Sequence, residues 1–366
     1  MKELVRKNIL NVKPYVGGKP IEETKRQLGL KEVIKLASNE NPLGPSPKAL
    51  EAVRKAALGI NRYPDSSGFY LKRKLAKALG VSAANIVLGN GSDELIDIII
   101  KTFVEDDENI VTSDSTFLEY GIIASVYGRK ITKVPLRYFK YDLESIKKKI
   151  DKKTKLVFIA NPNNPTGTYV TKYELRDFMS GLAQNTLLVM DEAYDAFIDV
   201  NDFPNTAESF RNKNIIILKT FSKSYGLAGL RLGYAVANEE LAAFMERARQ
   251  PFNINSLALA AGVAALDDKE FLLKTRKAVL EGKDYLYDNL KKIGVSYVPS
   301  ITNFILVDAG QDSVGLFNKM LKFGVIVRDM QQYGLNNFIR VTIGTRKENE
   351  RFIKVLTKIL RGKEKP

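Results

Sequence analysis

Lys223 stands between two serines, Ser222 and Ser224, with glycines at 226, 229 and 233 and Arg231 eight residues further on. The segment begins as an apolar run, Ile215 to Leu218, and breaks into a glycine-spaced polar turn. A lysine just past a buried strand and flanked by small hydroxyl residues is poorly solvated. That lowers the amine's pKa and leaves it usable as a nucleophile or Schiff-base former. A solitary loop lysine would be an ordinary surface cation. The fixed serines, glycines and arginine set this one apart.

Composition narrows the chemistry further. The 366 residues contain no cysteine and no histidine. Disulfides, thiolate metal sites, histidine triads and most zinc hydrolases are therefore excluded, and proton transfer falls to Lys, Tyr or a carboxylate. The net charge of +15 is spread along polar helix faces such as Lys147, Lys148 and Lys149 rather than gathered in a tail. It predicts a solvated surface that attracts anions, not a nucleic-acid site. The first ten residues, MKELVRKNIL, lack a signal peptide's apolar core, and the apolar run Leu257–Leu266 is too short to span a bilayer, so a soluble, cytoplasmic protein without membrane contact is expected.

Other polar residues also follow apolar runs. In LGNGSDE, Gly89 and Gly91 permit a tight turn, and Ser92, Asp93 and Glu94 open a helix whose free N–H groups suit a phosphate. A plain helix cap reads the same way. LLVMDEAY ends a buried strand in Asp191, where ligands of open α/β sheets collect, and an ionised aspartate there needs a cationic partner or a capping role. Tyr194 follows three residues later. Asn164 sits in the rigid turn NPNNPTG after the run Leu156–Ala160. Phe117 follows another strand end and could stack on a planar ligand or fill the core. Tyr63 occupies the polar turn NRYPD. Arg340, and likewise Arg328, are charges inside apolar strands, which implies an anionic ligand or a structural ion pair.

Around these residues the pattern predicts an α/β fold. Residues 1–45 read as an irregular, Pro/Gly/Asn-rich arm with one helix at Ile21–Leu28, packing with the small domain. Residues 46–268 alternate helices with short β-branched runs, a large domain with a mostly parallel seven-stranded sheet between helices. Residues 269–366 form a smaller α+β domain, entered by a long helix marked by Leu272, Val279, Leu286 and Ile293 at seven-residue spacing.

The pattern S-K-x-x-G-L-x-G-L-R-x-G, together with PYVGGKP, LASNENPLGPSP, RYPD, GNGSDE, NPNNPTG, VMDEAY and YGL…IRVTIGT, resembles the class I/II aminotransferases, pyridoxal-phosphate (PLP) enzymes of fold type I. The resemblance covers almost the whole chain. Within that family it is similar to the branch that transaminates L-histidinol phosphate with 2-oxoglutarate in histidine biosynthesis. It implies that Lys223 carries PLP and moves the substrate proton, and that Asp191 keeps the pyridine nitrogen protonated. Asn164 and Tyr194 would hold the ring oxygen, and Phe117 would stack on the ring. Gly91, Ser92, Asp93, Ser222 and Arg231 would bind the phosphate, with Tyr63 added from the partner of a homodimer. Arg340 would take the glutamate carboxylate and the substrate phosphate in turn, and Arg328, Tyr15 and Asn39 would shape the substrate pocket. Ser115 and Asn336 stand where the family commonly has proline, which bears on substrate preference. An aromatic amino-acid aminotransferase or a threonine-phosphate decarboxylase of the same fold is the nearest alternative. A PLP-sensing regulator or basic nucleic-acid-binding protein is the alternative from another class.

Overall fold

The computed structural model describes residues 2–14, 17–205 and 214–362. Two short 3₁₀ turns, α1 (Ile21–Leu28) and the two-residue strand β1 (Ile34–Lys35) precede α2 (Pro47–Ala56) and α3 (Phe69–Leu79). Strand and helix then alternate: β2 (Ile86–Gly89), α4 (Gly91–Phe103), β3 (Asn109–Ser113), α5 (Glu119–Tyr127), β4 (Lys130–Val134), α6 (Leu143–Lys149), β5 (Thr154–Ala160), α7 (Lys172–Ser180), β6 (Leu187–Asp191), β7 (Ile215–Thr220) and β8 (Gly233–Ala237). These strands form a seven-stranded sheet in the order β2-β8-β7-β6-β5-β3-β4. β8 runs antiparallel to both neighbours, and the remaining pairings are parallel. β2, β3 and β6 are buried along their whole length, as strands covered on both faces must be.

Because six strands point the same way, their carboxyl ends lie along one edge of the sheet. There β2, β3, β5, β6 and β7 deliver Gly91, Phe117, Asn164, Asp191 and Lys223 respectively. Local sequence sets where some helices start. Thr171 with Glu174 caps α7 by the reciprocal side-chain bonds of a capping box.

After α8 (Glu239–Ala248) and α9 (Ser256–Ala265), the 24-residue helix α10 (Lys269–Lys292) leads into the second unit. Val279, Leu286 and Leu290 bury its inner stripe, whereas Leu272 and Ile293, at its two ends, are only partly covered. The unit contains β9 (Tyr297–Val298), β10 (Phe304–Asp308), α11 (Ser313–Lys322), β11 (Val325–Ile326), β12 (Arg328–Asp329), β13 (Phe338–Thr342) and α12 (Arg346–Leu360). β12-β13-β10-β9 form an antiparallel sheet.

Three strands, β1, β11 and β12, escape sequence reading. β1 lies in the segment expected to be irregular, yet Ile34 and Lys35 pair in parallel with Val325 and Ile326. β12 holds only Arg328 and Asp329. Two residues carry no periodicity. Such strands exist because a distant edge supplies their hydrogen bonds.

Candidate active site

A cavity of about 280 Å³ opens at the carboxyl edge of the large sheet. It is closed by the segment after β1 and by β12 and β13 of the smaller sheet. Asn39, Ser92, Asp93, Phe117, Asn164, Asp191, Tyr194, Ser222, Lys223, Arg231, Arg328 and Arg340 all line it. Gly91 lies directly against Arg231. Tyr63 is not in this cavity: it is 83% exposed and stacks on Phe252 with centroids 4.8 Å apart. Tyr15 lies outside the described residues.

Lys223 Nζ sits 5.8 Å from the Tyr194 ring centroid and donates a long bond to the Ser38 carbonyl at 3.4 Å. Burial, reinforced by the Arg340 guanidinium, lowers its pKa to about 8. The amine is thus substantially neutral at a pH where an exposed lysine is fully charged.

Asp191 is buried at the end of β6. Its Oδ2 accepts the Tyr120 hydroxyl at 2.7 Å and its Oδ1 the Ala193 N–H at 3.2 Å. Burial raises its pKa to about 6 in spite of the Tyr120 bond. Tyr120 is held edge-on to Phe117 at 5.7 Å and stacked on Phe158 at 4.6 Å, so its hydroxyl is a fixed donor. Tyr120 was missed in the sequence. Its one signal was its place three residues after Phe117, in the same segment beyond β3.

Asn39, with φ of 55°, is fixed by Thr342 and Asn303, and its Nδ2 donates to the Tyr194 hydroxyl at 2.9 Å. Burial holds the Tyr194 phenol neutral, leaving its proton available to a ligand. Arg340 Nη1 donates to Asn164 Oδ1 and Nη2 to the Ala37 carbonyl at 2.8 Å. Its Nε is buried with no partner among the described residues. Arg328 stands directly opposite Arg340 in the β12–β13 register. Arg328 also donates to Gln332 Oε1 at 3.2 Å, and two buried guanidiniums on one wall suit an anion of high charge.

A second anion site lies at the start of α4. Arg231, in the left-handed conformation with φ of 54°, pairs with Asp93 at 3.0 Å and reaches Ser222 Oγ at 3.5 Å. Gly91 (φ +81°) leaves room for it: an added Cβ would lie 2.4 Å from Arg231 Nη2. Gly233 does the same for the backbone, since a Cβ there would lie 2.8 Å from Gly91 C and Ser92 N. Gly233→Ala should therefore push the first turn of α4 away from β8. The expected result is affinity for a phosphate ligand weakened at least about 10-fold with a stability loss of about 1–3 kcal/mol, the usual range for overpacking. Ligand titration and denaturant melts check both.

A partly buried ion cluster, in which Glu192 is fully covered, braces the loop after β6. Lys219, on β7, pairs with Glu192 at 2.9 Å and with Asp195. These acids follow Asp191 and Tyr194 in sequence, so one lysine ties the loop after β6 to the strand that presents Lys223. Removing one partner of a buried pair costs about 3–5 kcal/mol. Because Lys219 and Asp195 keep some exposure, Lys219→Met should lower stability by less, about 1–3 kcal/mol, seen as a shift in the urea midpoint.

The donor set suits PLP: an amine of lowered pKa, a buried carboxylate, two neutral donors and a phosphate cradle that a Cβ would fill. The comparisons agree. The profile of the family "Aminotransferase class I and II" matches residues 31–356. The chain is 48% identical over 357 residues to the histidinol-phosphate aminotransferase of Moorella thermoacetica, covering 97% of this chain and 92% of that one. It is 44% identical to the histidinol-phosphate aminotransferase of an Anaeromyxobacter species, with 98% and 99% covered. The crystal structure of the Sinorhizobium meliloti histidinol-phosphate aminotransferase in complex with pyridoxal-5'-phosphate matches with a TM-score of 0.91 at 30% identity over 98% of both chains.

The fold and site thus define a PLP-dependent transferase of fold type I. The chain belongs to the class I and II aminotransferase family; it is an aminotransferase and PLP is its cofactor. Among the described residues no helix is long and apolar enough to cross a membrane.

Proposed function

We propose that this chain transaminates L-histidinol phosphate with 2-oxoglutarate, giving imidazole-acetol phosphate and glutamate in histidine biosynthesis. The observation that carries this reading is the pair of buried arginines, Arg328 and Arg340, facing each other across β12 and β13 in the cavity that holds Lys223. Two convergent forks suit a dianionic phosphate in one half-reaction and a carboxylate in the other. The names of relatives that match nearly the whole chain support the same substrate.

When bound, PLP supplies an electron sink for negative charge at the substrate Cα. The chain's residues do the rest. Lys223 Nζ anchors the cofactor between turnovers and, once freed, takes the proton from Cα. Asp191, held in place by Tyr120, would accept the pyridine N–H. Asn164 and Tyr194 would hold the ring oxygen, and Phe117 would pack against the ring. Ser222, Arg231 and the backbone of Gly91, Ser92 and Asp93 hold the phosphate. Arg340, Arg328, Asn39 and Tyr15 orient the substrate.

A homodimer completes the site in this proposal, with Tyr63 reaching the partner's phosphate. Its exposure, and that of Leu58, Ile60 and Tyr70 nearby in sequence, fits a surface covered by a second copy. The same proposal divides the chain into arm (1–45), large domain (46–268) and small domain (269–366), and places the enzyme in the cytoplasm.

Absorbance spectra of the PLP-loaded protein test the reaction. Histidinol phosphate alone should remove the visible cofactor band, and 2-oxoglutarate should restore it. A band that ignores histidinol phosphate but responds to phenylalanine or threonine phosphate would move the assignment to a sister activity.

A further inference from the structure

Four carboxylates line the cavity: Glu40, Asp93, Glu119 and Asp191. Three have partners within the chain. Glu40 bonds Lys35 at 2.9 Å, Asp93 bonds Arg231 at 3.0 Å, and Asp191 accepts from Tyr120 at 2.7 Å. Glu119, half-buried as the first residue of α5, has no hydrogen-bond or ion-pair partner among the described residues. The N-terminal turn of a helix tolerates a carboxylate. That alone does not explain why this one lines the cavity.

Glu119 comes from the large sheet's side of the cavity, whereas Arg328 and Arg340 come from the smaller sheet. A ligand that meets both carries an anion at one end and an N–H donor at the other. Burial, with Asp93 adding repulsion, raises the Glu119 pKa, so a donor or cation from the ligand would restore its ionised form. An imidazole offers such a donor whether neutral or protonated, with a free pKa of about 6.5. A phenyl ring offers none.

We propose that Glu119 determines specificity for the substrate ring: its carboxylate accepts an imidazole N–H and so favours a nitrogen heteroaromatic amine over a carbocyclic one. This rests on the histidinol-phosphate reading. A polar group built to meet a ligand N–H discriminates strongly, because the analogue lacking it leaves the carboxylate desolvated and unpaired.

The test compares wild type, Glu119→Gln and Glu119→Leu as PLP-loaded enzymes. The two substrates are L-histidinol phosphate and its phenyl analogue, which keeps the amine and the phosphate. The imidazole-to-phenyl ratio of kcat/KM should fall at least about 10-fold in Glu119→Leu, the low end for a lost charge-assisted bond, and by less in Glu119→Gln, whose neutral amide oxygen still accepts, in both mainly through KM for the imidazole substrate. An unchanged ratio in either variant that retains the visible PLP band overturns the proposal. Should the leucine variant fail to load PLP, the nearly isosteric glutamine variant decides. A wild type that turns over both substrates equally well overturns the Glu119 role and leaves the histidinol-phosphate reading standing. One that ignores histidinol phosphate refutes that reading and the Glu119 role with it.

Discussion

Lys223→Ala should lose the visible band of bound PLP and at least about 10⁴ in turnover, since one change removes both the covalent anchor and the proton carrier. Lys223→Arg is the informative companion. It keeps the positive charge against Ser38 and Tyr194, but a guanidinium does not deprotonate, so it should be equally inactive while folding normally. Single-turnover kinetics with histidinol phosphate separate this from a folding defect. The wild-type amine also predicts a pH profile. With a pKa of about 8, roughly a quarter of Lys223 is neutral at pH 7.5, against roughly one part in a thousand for an ordinary lysine. Capture of PLP by the apoprotein should quicken as pH rises and level off above about 8. Because the folded pKa lies below the unfolded one, the unfolded chain binds more protons between about 8 and 10.5, and this group's contribution to apoprotein stability rises with pH across that window. A capture rate still climbing steeply above pH 9 would refute the lowered pKa.

Asp191→Asn should cut kcat about 10²–10³-fold, the scale lost when one preorganised electrostatic partner is removed from a reacting centre. The amide oxygen can still accept from Tyr120, so the phenol and its stack on Phe158 stay in place. The stability effect runs the other way. Burial lifts the Asp191 pKa from 3.8 to about 6, so its favourable contribution to the empty protein is present below about pH 4 and is lost as pH rises through about 6. At pH 7 the apoprotein of Asp191→Asn should therefore melt no lower than wild type, and higher if the charge is as poorly solvated as its burial implies. A kinetic defect without a stability defect marks a carboxylate kept for its cationic ligand. A variant that loses both in parallel would make Asp191 a structural residue.

The lysine, the aspartate, the asparagine turn and the glycine-flanked helix start were legible because each follows an apolar run by a few residues. In a parallel sheet every such position falls on one edge, so local pattern and strand direction together imply a common site. Short apolar, β-branched runs likewise marked the main strands, which are buried on both faces, and seven-residue periodicity marked the long helix α10. The family resemblance rested on these same local segments.

What only the tertiary structure decided depends on distant partners. Arg328 and Arg340 are 12 residues apart in sequence, and the register of β12 on β13 sets them face to face. Asn39 reaches the site because the chain is pinned beside it, by β1 pairing with β11 and by bonds to Thr342 and Asn303. Tyr120 becomes a donor to Asp191, and Lys219 a brace between β7 and the loop after β6, only once neighbouring strands pair. Glu119 is one glutamate among many in the sequence. Only the cavity shows that its three fellow carboxylates are partnered and that it is not. Hydrophobic spacing is written locally along a chain, whereas register, burial and the charge environment they create arise from contacts between segments hundreds of residues apart.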